Sequence, residues 1–292
     1  MFWRSKEIGK HIAYVASSLK DPVEFSLRAQ HSAEQLGKRA IGKSKAYFWT
    51  PPEKPSSHAG EYEGLGEWMS MCQAAIFEIW FHLGSVALPE LRKVAFGSYD
   101  WTQAYATNAL CRLATQGLDT EKTAAGIAKA LPRWRYEQVM RVCGRVAELA
   151  ARSEVLLEAY DRLIEVYKAT DPVDALELVS ALAEHCPNHV RELHSALVRD
   201  LSEGLGLEHR TPFDDGHVVP TPDGRGFVAK GGPTYPLVPD YHRIRATMVL
   251  HKLEPNNQHL ARRLQAWSTN HPDALIRKEL TALLARASLH RA

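Results

Sequence analysis

Between Leu88 and Ala114 the chain reads LPELRKVAFGSYDWTQAYATNALCRLA, and this stretch constrains the fold more than any other. Leu88, Leu91, Val94 and Ala95 recur at helical spacing until Gly97 closes the run. Asp100 then opens a second helix carrying Ala104, Ala106, Ala109, Leu110 and Leu113. Two short helices joined by a tight turn cannot bury their apolar faces alone, so such units become stable by stacking on others of their kind. Second helices begin near Asp100, Tyr136 and Asp171, a step of about 35 residues that falls within the period of helical repeats. An all-α fold built by stacking is the expectation.

The 292 residues suffice for two ordinary domains or one continuous array. Hydrophobic content of 45% with 24% charged residues excludes the disordered and fibrous classes. The longest apolar stretch, Ala74 to Val86, is interrupted by Glu78 and His82 and falls short of the roughly 18–20 residues of a membrane span. The N-terminal MFWRSKEIGKHIAYVASSLK has no apolar signal core, so a cytoplasmic location is expected. Cys72, Cys111, Cys143 and Cys186 form no CxxC pair, which disfavours a zinc ribbon or a thioredoxin-like site. Each sits among apolar neighbours and reads as a small, reduced, buried hydrophobe.

Net charge is only +2, but it is unevenly distributed. Residues 1–60 carry 10 Lys/Arg against 5 Asp/Glu, residues 240–292 carry 9 against 4, and the middle carries 17 against 25. Basic ends flank an acidic centre, a separation that steers partners.

Helix signals set the organisation. Asp21-Pro22 opens a helix closed by Gly37. Residues 42–66 are too rich in Pro, Ser and Gly for a regular element, so residues 1–66 read as N-terminal helices plus an irregular segment packed on the body. EWMSMCQAAIFEIWFHL, from Glu67, is apolar nearly all round and should be buried. Repeats then fill 67–203, with Asp119 as a candidate cap, Asp171-Pro172 opening one helix and Pro187 another. Residues 204–239 hold six prolines and seven glycines and interrupt the array. Within them HVVPTPDGRGFVAK reads as a β-hairpin turning at Pro222-Asp223-Gly224. Helices return over 240–292.

The Leu88–Ala114 unit resembles a HEAT repeat, as does HLARRLQAWSTNHPDALIRKELTALLARA, in which Asp273 opens the second helix and Ile276-Arg277 occupy the family's Val-Arg position. The resemblance covers about 68–200 and 240–288; armadillo repeats fit nearly as well. Gln103 stands where the family has an Arg after Asp100, a departure from its usual ladder. The resemblance implies a short right-handed α-solenoid of four or five helix pairs with one hairpin-bearing loop insertion. It further implies a non-catalytic protein-binding scaffold, of the kind used as an adaptor or as a toxin-neutralising immunity protein. An alternative within the same architecture is a nucleic-acid-binding helical repeat, similar to the HEAT-like DNA glycosylases, that grips phosphates through the basic ends.

Candidate contacts follow from charge. Glu154, Glu158, Asp161 and Glu165 run at i+4, i+3 and i+4 along one helix face. Arg162 and Lys168 lie elsewhere on that helix, so the stripe is expected to line a concave groove suited to a basic protein partner. Asp214 and Asp215, in the run Asp214-Asp215-Gly216-His217, and Tyr235 add partner contacts from the insertion; an enzyme with its site there is the least supported class. Arg141, Arg145 and Arg152, with Arg133, Trp134 and Arg135 ahead of them, share one face and suit a nucleic-acid backbone. Against that, Glu137 and Glu148 stand at i+4 spacing from Arg141 and Arg152 as ion-pair partners. His185, Cys186, His189 and His194 invite a metal site. Pro187 breaks the helix between the first two histidines, and i+5 spacing does not put His189 and His194 on one face. No metal, cofactor or catalytic residue is assigned, and no GxSxG, HExxH, P-loop or GxGxxG motif is present.

Overall fold

Asp-Pro dipeptides fix two helix starts as read from sequence. Asp21 accepts hydrogen bonds from the amides of Val23 and Glu24 at the head of α2 (Pro22–Leu36), and Asp171 accepts one from Val173 at the head of α10 (Pro172–Ala183). A computed structural model describes residues 2–58, 64, 66–97, 101–205, 217–220, 227–230, 238–271 and 274–289. Among the described residues the chain forms fifteen α-helices and one two-stranded hairpin. It divides into two units, Met1–Asp161 and Arg162–Ala292.

The first unit contains α1 (Phe2–Ala16), α2, α3 (Arg39–Ser44), α4 (Glu67–His82), α5 (Leu88–Ala95), α6 (Trp101–Thr115), α7 (Thr120–Ala130) and α8 (Tyr136–Ala150). It ends inside α9 (Glu154–Thr170). The all-round apolar α4 is its centre, with α1, α2, α3 and α6 packed against it. Trp80 is fully buried, and its indole N–H donates to Ser44 Oγ at 3.0 Å. Phe48 stacks on Phe77 with centroids 5.3 Å apart, and Trp68 Nε1 donates to the Pro52 carbonyl at 2.8 Å. These contacts pin the Pro-rich stretch onto the helices. Helical order also reaches further into that stretch than composition suggests, through α3 and short 3-10 turns at Lys45–Tyr47 and Ser56–His58.

The helices α4, α6 and α8 lie parallel to one another. Ser70 meets Tyr105 at 2.8 Å and Glu78 meets Arg112; Trp101 meets Arg141 and Thr115 meets Arg152. In each pair of helices the contacts advance in the same direction, between residues 34 to 40 positions apart. The intervening α5 and α7 make this possible, each packing on the helix that follows it. Phe96 lies so close to α7 that a Cβ on Gly126 would stand 2.9 Å from its ring.

Two turns carry the same tie. Gln103 Nε2 donates to the Gly97 carbonyl at 2.7 Å, and Arg277 Nη1 donates to the His271 carbonyl, each six residues back. Gln103 thus closes its turn with the amide in place of a guanidinium. Asp119 corrects the sequence reading: its backbone is left-handed (φ 56°) and its side chain makes no cap. The carboxylate instead pairs with Arg92 on α5. Asp100 and Asp273 lie outside the described residues; the helices that follow them start at Trp101 and Ala274.

The second unit holds the end of α9, then α10, α11 (Pro187–Leu193), α12 (Ser195–Glu203), β1 (His217–Pro220), β2 (Phe227–Lys230), α13 (Val238–Leu253), α14 (Gln258–Asn270) and α15 (Ala274–Leu289). The hairpin expected from sequence forms, antiparallel, with His217 opposite Lys230 and Pro220 opposite Phe227. Its turn and the rest of the insertion, including Asp214, Asp215 and Tyr235, lie outside the described residues. The helices before and after it pack antiparallel: Gly204 lies against Arg243, and Arg199 pairs with Glu254 at 3.0 Å. Arg191 donates to the Leu253 carbonyl at 2.8 Å, and Arg245 and Lys252 pair with Glu177 on α10 and with Glu184 at its C-cap. The insertion therefore leaves from and returns to one helix pair.

Trp80 offers a direct test of the core. Trp80→Ala should cost about 3–5 kcal/mol of stability, the range for large aromatics removed from cores. Chemical denaturation of wild type and variant measures it, and an unchanged midpoint would contradict the burial.

Candidate interaction surface

The amphipathic pattern of α9 decides which of its side chains meet solvent. Leu156, Tyr160, Leu163 and Ile164 are buried, with the Tyr160 hydroxyl donating to the Cys143 carbonyl at 3.3 Å. Glu154, Glu158 and Glu165 are exposed along the outer face, and Asp161 is half-buried at its margin. Two β-branched side chains share that outer face: Val155 is 57% and Val166 61% exposed. Glu154 also sits in the first turn, where the helix dipole favours a carboxylate. The stripe is less uniform than its sequence suggests. Lys168, three residues on, reaches Glu165 at 3.2 Å, and His194 Nδ1 lies 3.8 Å from the same carboxylate. Lys168 and His194 thereby take up the C-terminal end of the stripe.

Of the three arginines expected on one helix face, Arg141 and Arg145 lie on α8 and Arg152 in the turn beyond it, and they are held differently from the i+4 pairs expected. Arg141, Arg145 and Arg152 are all exposed. Arg141 lies over the ring of Trp101, 4.0 Å from its centroid, and Arg152 donates to the Thr115 carbonyl at 2.6 Å. Glu148 takes Arg145 at 2.7 Å. Helical spacing offered Glu137 and Glu148 to Arg141 and Arg152, but the packing of α6 against α8 supplies an aromatic face and a carbonyl.

A buried polar cluster lies apart from the sites expected from sequence. Glu78 is buried in α4 and takes a two-pronged contact from Arg112, whose Nη2 stands 2.9 Å from Oε1. The guanidinium stacks over Phe81 at 3.6 Å. His82 Nε2 stands 3.4 Å from Glu78 Oε1 and 3.1 Å from Ser26 Oγ. Burial alone would raise the Glu78 pKa, but hydrogen bonds from His82 and Arg112 and the Arg112 charge pull it from 4.5 to about 2. A Ser, a His and a Glu side by side suggest a nucleophile, yet the geometry is wrong for one. The hydroxyl and the carboxylate meet the same ring nitrogen, whereas a catalytic relay needs the carboxylate on the other. The carboxylate is moreover committed to Arg112. The signal was present, since Glu78 and His82 interrupt the most apolar stretch of the chain, but their partner lies 34 residues away.

Histidines near Pro187 also depart from expectation. The rings of His189 and His194 do meet, edge to face with centroids 6.4 Å apart. The i+5 spacing does not separate them because the helix is not continuous: α11 ends at Leu193 and His194 has a non-helical φ of −121°. His185 is exposed. Cys72 and Cys111 are buried, and burial pushes both thiols up to about 12, so neither is a ready nucleophile.

No protein-family model, curated protein or solved structure gives a significant match to this chain. Among the described residues no helix is long and apolar enough to cross a membrane.

The Glu78 cluster makes a pH prediction. Its folded pKa lies below the ordinary value, so its contribution is fully present above about pH 4.5 and is lost as the pH falls through about 2. The shift corresponds to roughly 3 kcal/mol. Glu78→Gln keeps the shape, removes the charge, and should flatten the dependence of stability on pH across that window. Equal acid sensitivity in urea titrations of wild type and variant would refute the assignment.

Proposed function

We propose that this protein is a non-catalytic protein-binding scaffold made of HEAT-like stacked helix pairs, and that the outer face of α9 receives a partner with a basic surface. The observation that carries this reading is the pairing of exposed Glu154 and Glu158 with exposed Val155 on one helix face. Carboxylates steer a basic partner and set its register, while an apolar side chain at the same face supplies area to bury. The parallel set α4, α6 and α8, tied at intervals of 34 to 40 residues, supports the stacked-pair architecture. The Ser26, His82 and Glu78 geometry gives no support to an enzyme. Asp214, Asp215 and Tyr235 remain proposed secondary contacts from the insertion. Use as an adaptor or as a neutralising partner of a toxic protein follows from analogy between folds.

Affinity capture with the intact chain, read by mass spectrometry, is expected to yield one predominant basic protein. Glu154→Lys combined with Glu158→Lys should slow its association and reduce the dependence on salt, because exposed interface charges act mostly on the on-rate. Thermal stability should fall slightly, since a lysine at position 154 opposes the dipole of the first turn and positions 154 and 158 stay like-charged. Capture of nothing, or an association rate indifferent to the double reversal, would sink the reading.

A further inference from the structure

We infer that the junction of α7, α8 and the start of α6 is a second contact surface, and that its occupant is single-stranded nucleic acid. Between residues 129 and 141 stand Lys129, Arg133, Arg135 and Arg141 against the single carboxylate of Glu137. All five side chains are exposed. This inverts the sign of the surrounding segment, in which residues 61–239 carry 17 basic against 25 acidic groups. The cations are interleaved with aromatic surface: Trp101 is 49% and Tyr136 45% exposed, and Trp134 is half-buried between Arg133 and Arg135.

Arg141 shows how the surface is organised. Its guanidinium rests 4.0 Å from the centre of the Trp101 ring, so both planes are held in place before any ligand arrives. Indole and guanidinium planes accept a base of any sequence by stacking, while exposed Lys and Arg take the phosphates. Tyr136 stands in the first turn of α8, below two turns from Arg141, and Arg133 precedes it by three residues. Aromatic faces serve a base that is free to stack on them and not one already stacked within a duplex, which favours a single strand. Phosphate binding alone would need no exposed Trp and Tyr, which is why a strand with bases is favoured over a bare polyanion.

The test uses a fluorescent oligothymidylate of about 15 nucleotides, within the size range of single-strand sites. Fluorescence anisotropy at low salt should show binding to the intact chain that weakens steeply as salt rises. Arg133→Ala should lower the salt slope by about 1, the effect of one lost phosphate contact. Trp101→Ala should weaken oligothymidylate about tenfold by loss of stacking but leave inorganic polyphosphate, which has no bases, unchanged. Circular dichroism of each variant establishes that the helices persist, and Tyr136→Ala gives an independent stacking probe if Trp101→Ala unfolds. Absence of binding at low salt overturns the proposal. So does equal loss of polyphosphate and oligothymidylate in both aromatic variants, or a preference for duplex over single strand.

Discussion

The ion pair between Glu78 and Arg112 is the contact on which the first unit turns. It joins the buried α4 to the parallel α6, and Ser26 brings α2 to the same carboxylate at 3.4 Å. A charge at that depth is tolerable only if its partners supply more than burial removes. Here they do: a forked guanidinium, an imidazole and a hydroxyl surround one carboxylate, and its pKa falls to about 2. Phe81 covers one face of the guanidinium. A buried charge has one register in which it is satisfied, and the Ser70–Tyr105 contact at 2.8 Å agrees with it. The pair thus sets the stagger of α4 on α6.

A second Glu–Arg pair shows how finely this balance is struck. Glu177 on α10 meets Arg245 on α13, yet burial is the largest influence on it and its pKa is raised. Arg245 alone, with Asp174 nearby as a like charge, does not outweigh desolvation. The contrast lies in the number of donors around the carboxylate rather than in the presence of an arginine. Glu78 is held in its charged state by several groups, while Glu177 gains less from ionisation than it would in water.

Features governed by local chemistry were legible in the sequence. Asp21-Pro22, Asp171-Pro172 and Pro187 mark helix starts because capping and a fixed φ act within a few residues. The burial of α4 follows from its having no polar face, and the hairpin of β1 and β2 from alternating strands around a turn sequence. What escaped was non-local. Arg112 and Glu78 are separated by 34 residues and Arg141 and Trp101 by 40, so no spacing rule within a helix joins them. Spacing rules also misled where the helix was not continuous, as at His194, and where a left-handed backbone turned Asp119 away from its amides towards Arg92. The acidic stripe of α9 was visible as a pattern, but the lysine that takes up Glu165 was assigned to another face.

Neighbouring helices of the first unit present charges of opposite sign, and the packing explains why they do not simply cancel. Arg141 on α8 is drawn towards Trp101, and Arg152, in the turn beyond α8, towards the Thr115 carbonyl, both on α6. Arg145 is retained by Glu148 on its own helix. Each arginine is tethered on the α6 side or along α8, and Glu154 and Glu158 stay exposed on α9. An aromatic ring and a backbone carbonyl leave the positive charge of an arginine intact where a carboxylate would neutralise it. The same two contacts that set α6 against α8 therefore preserve a basic face beside an acidic one. Structural packing and surface charge are here two consequences of the same contacts, so a change at Arg141 or Arg152 acts on both.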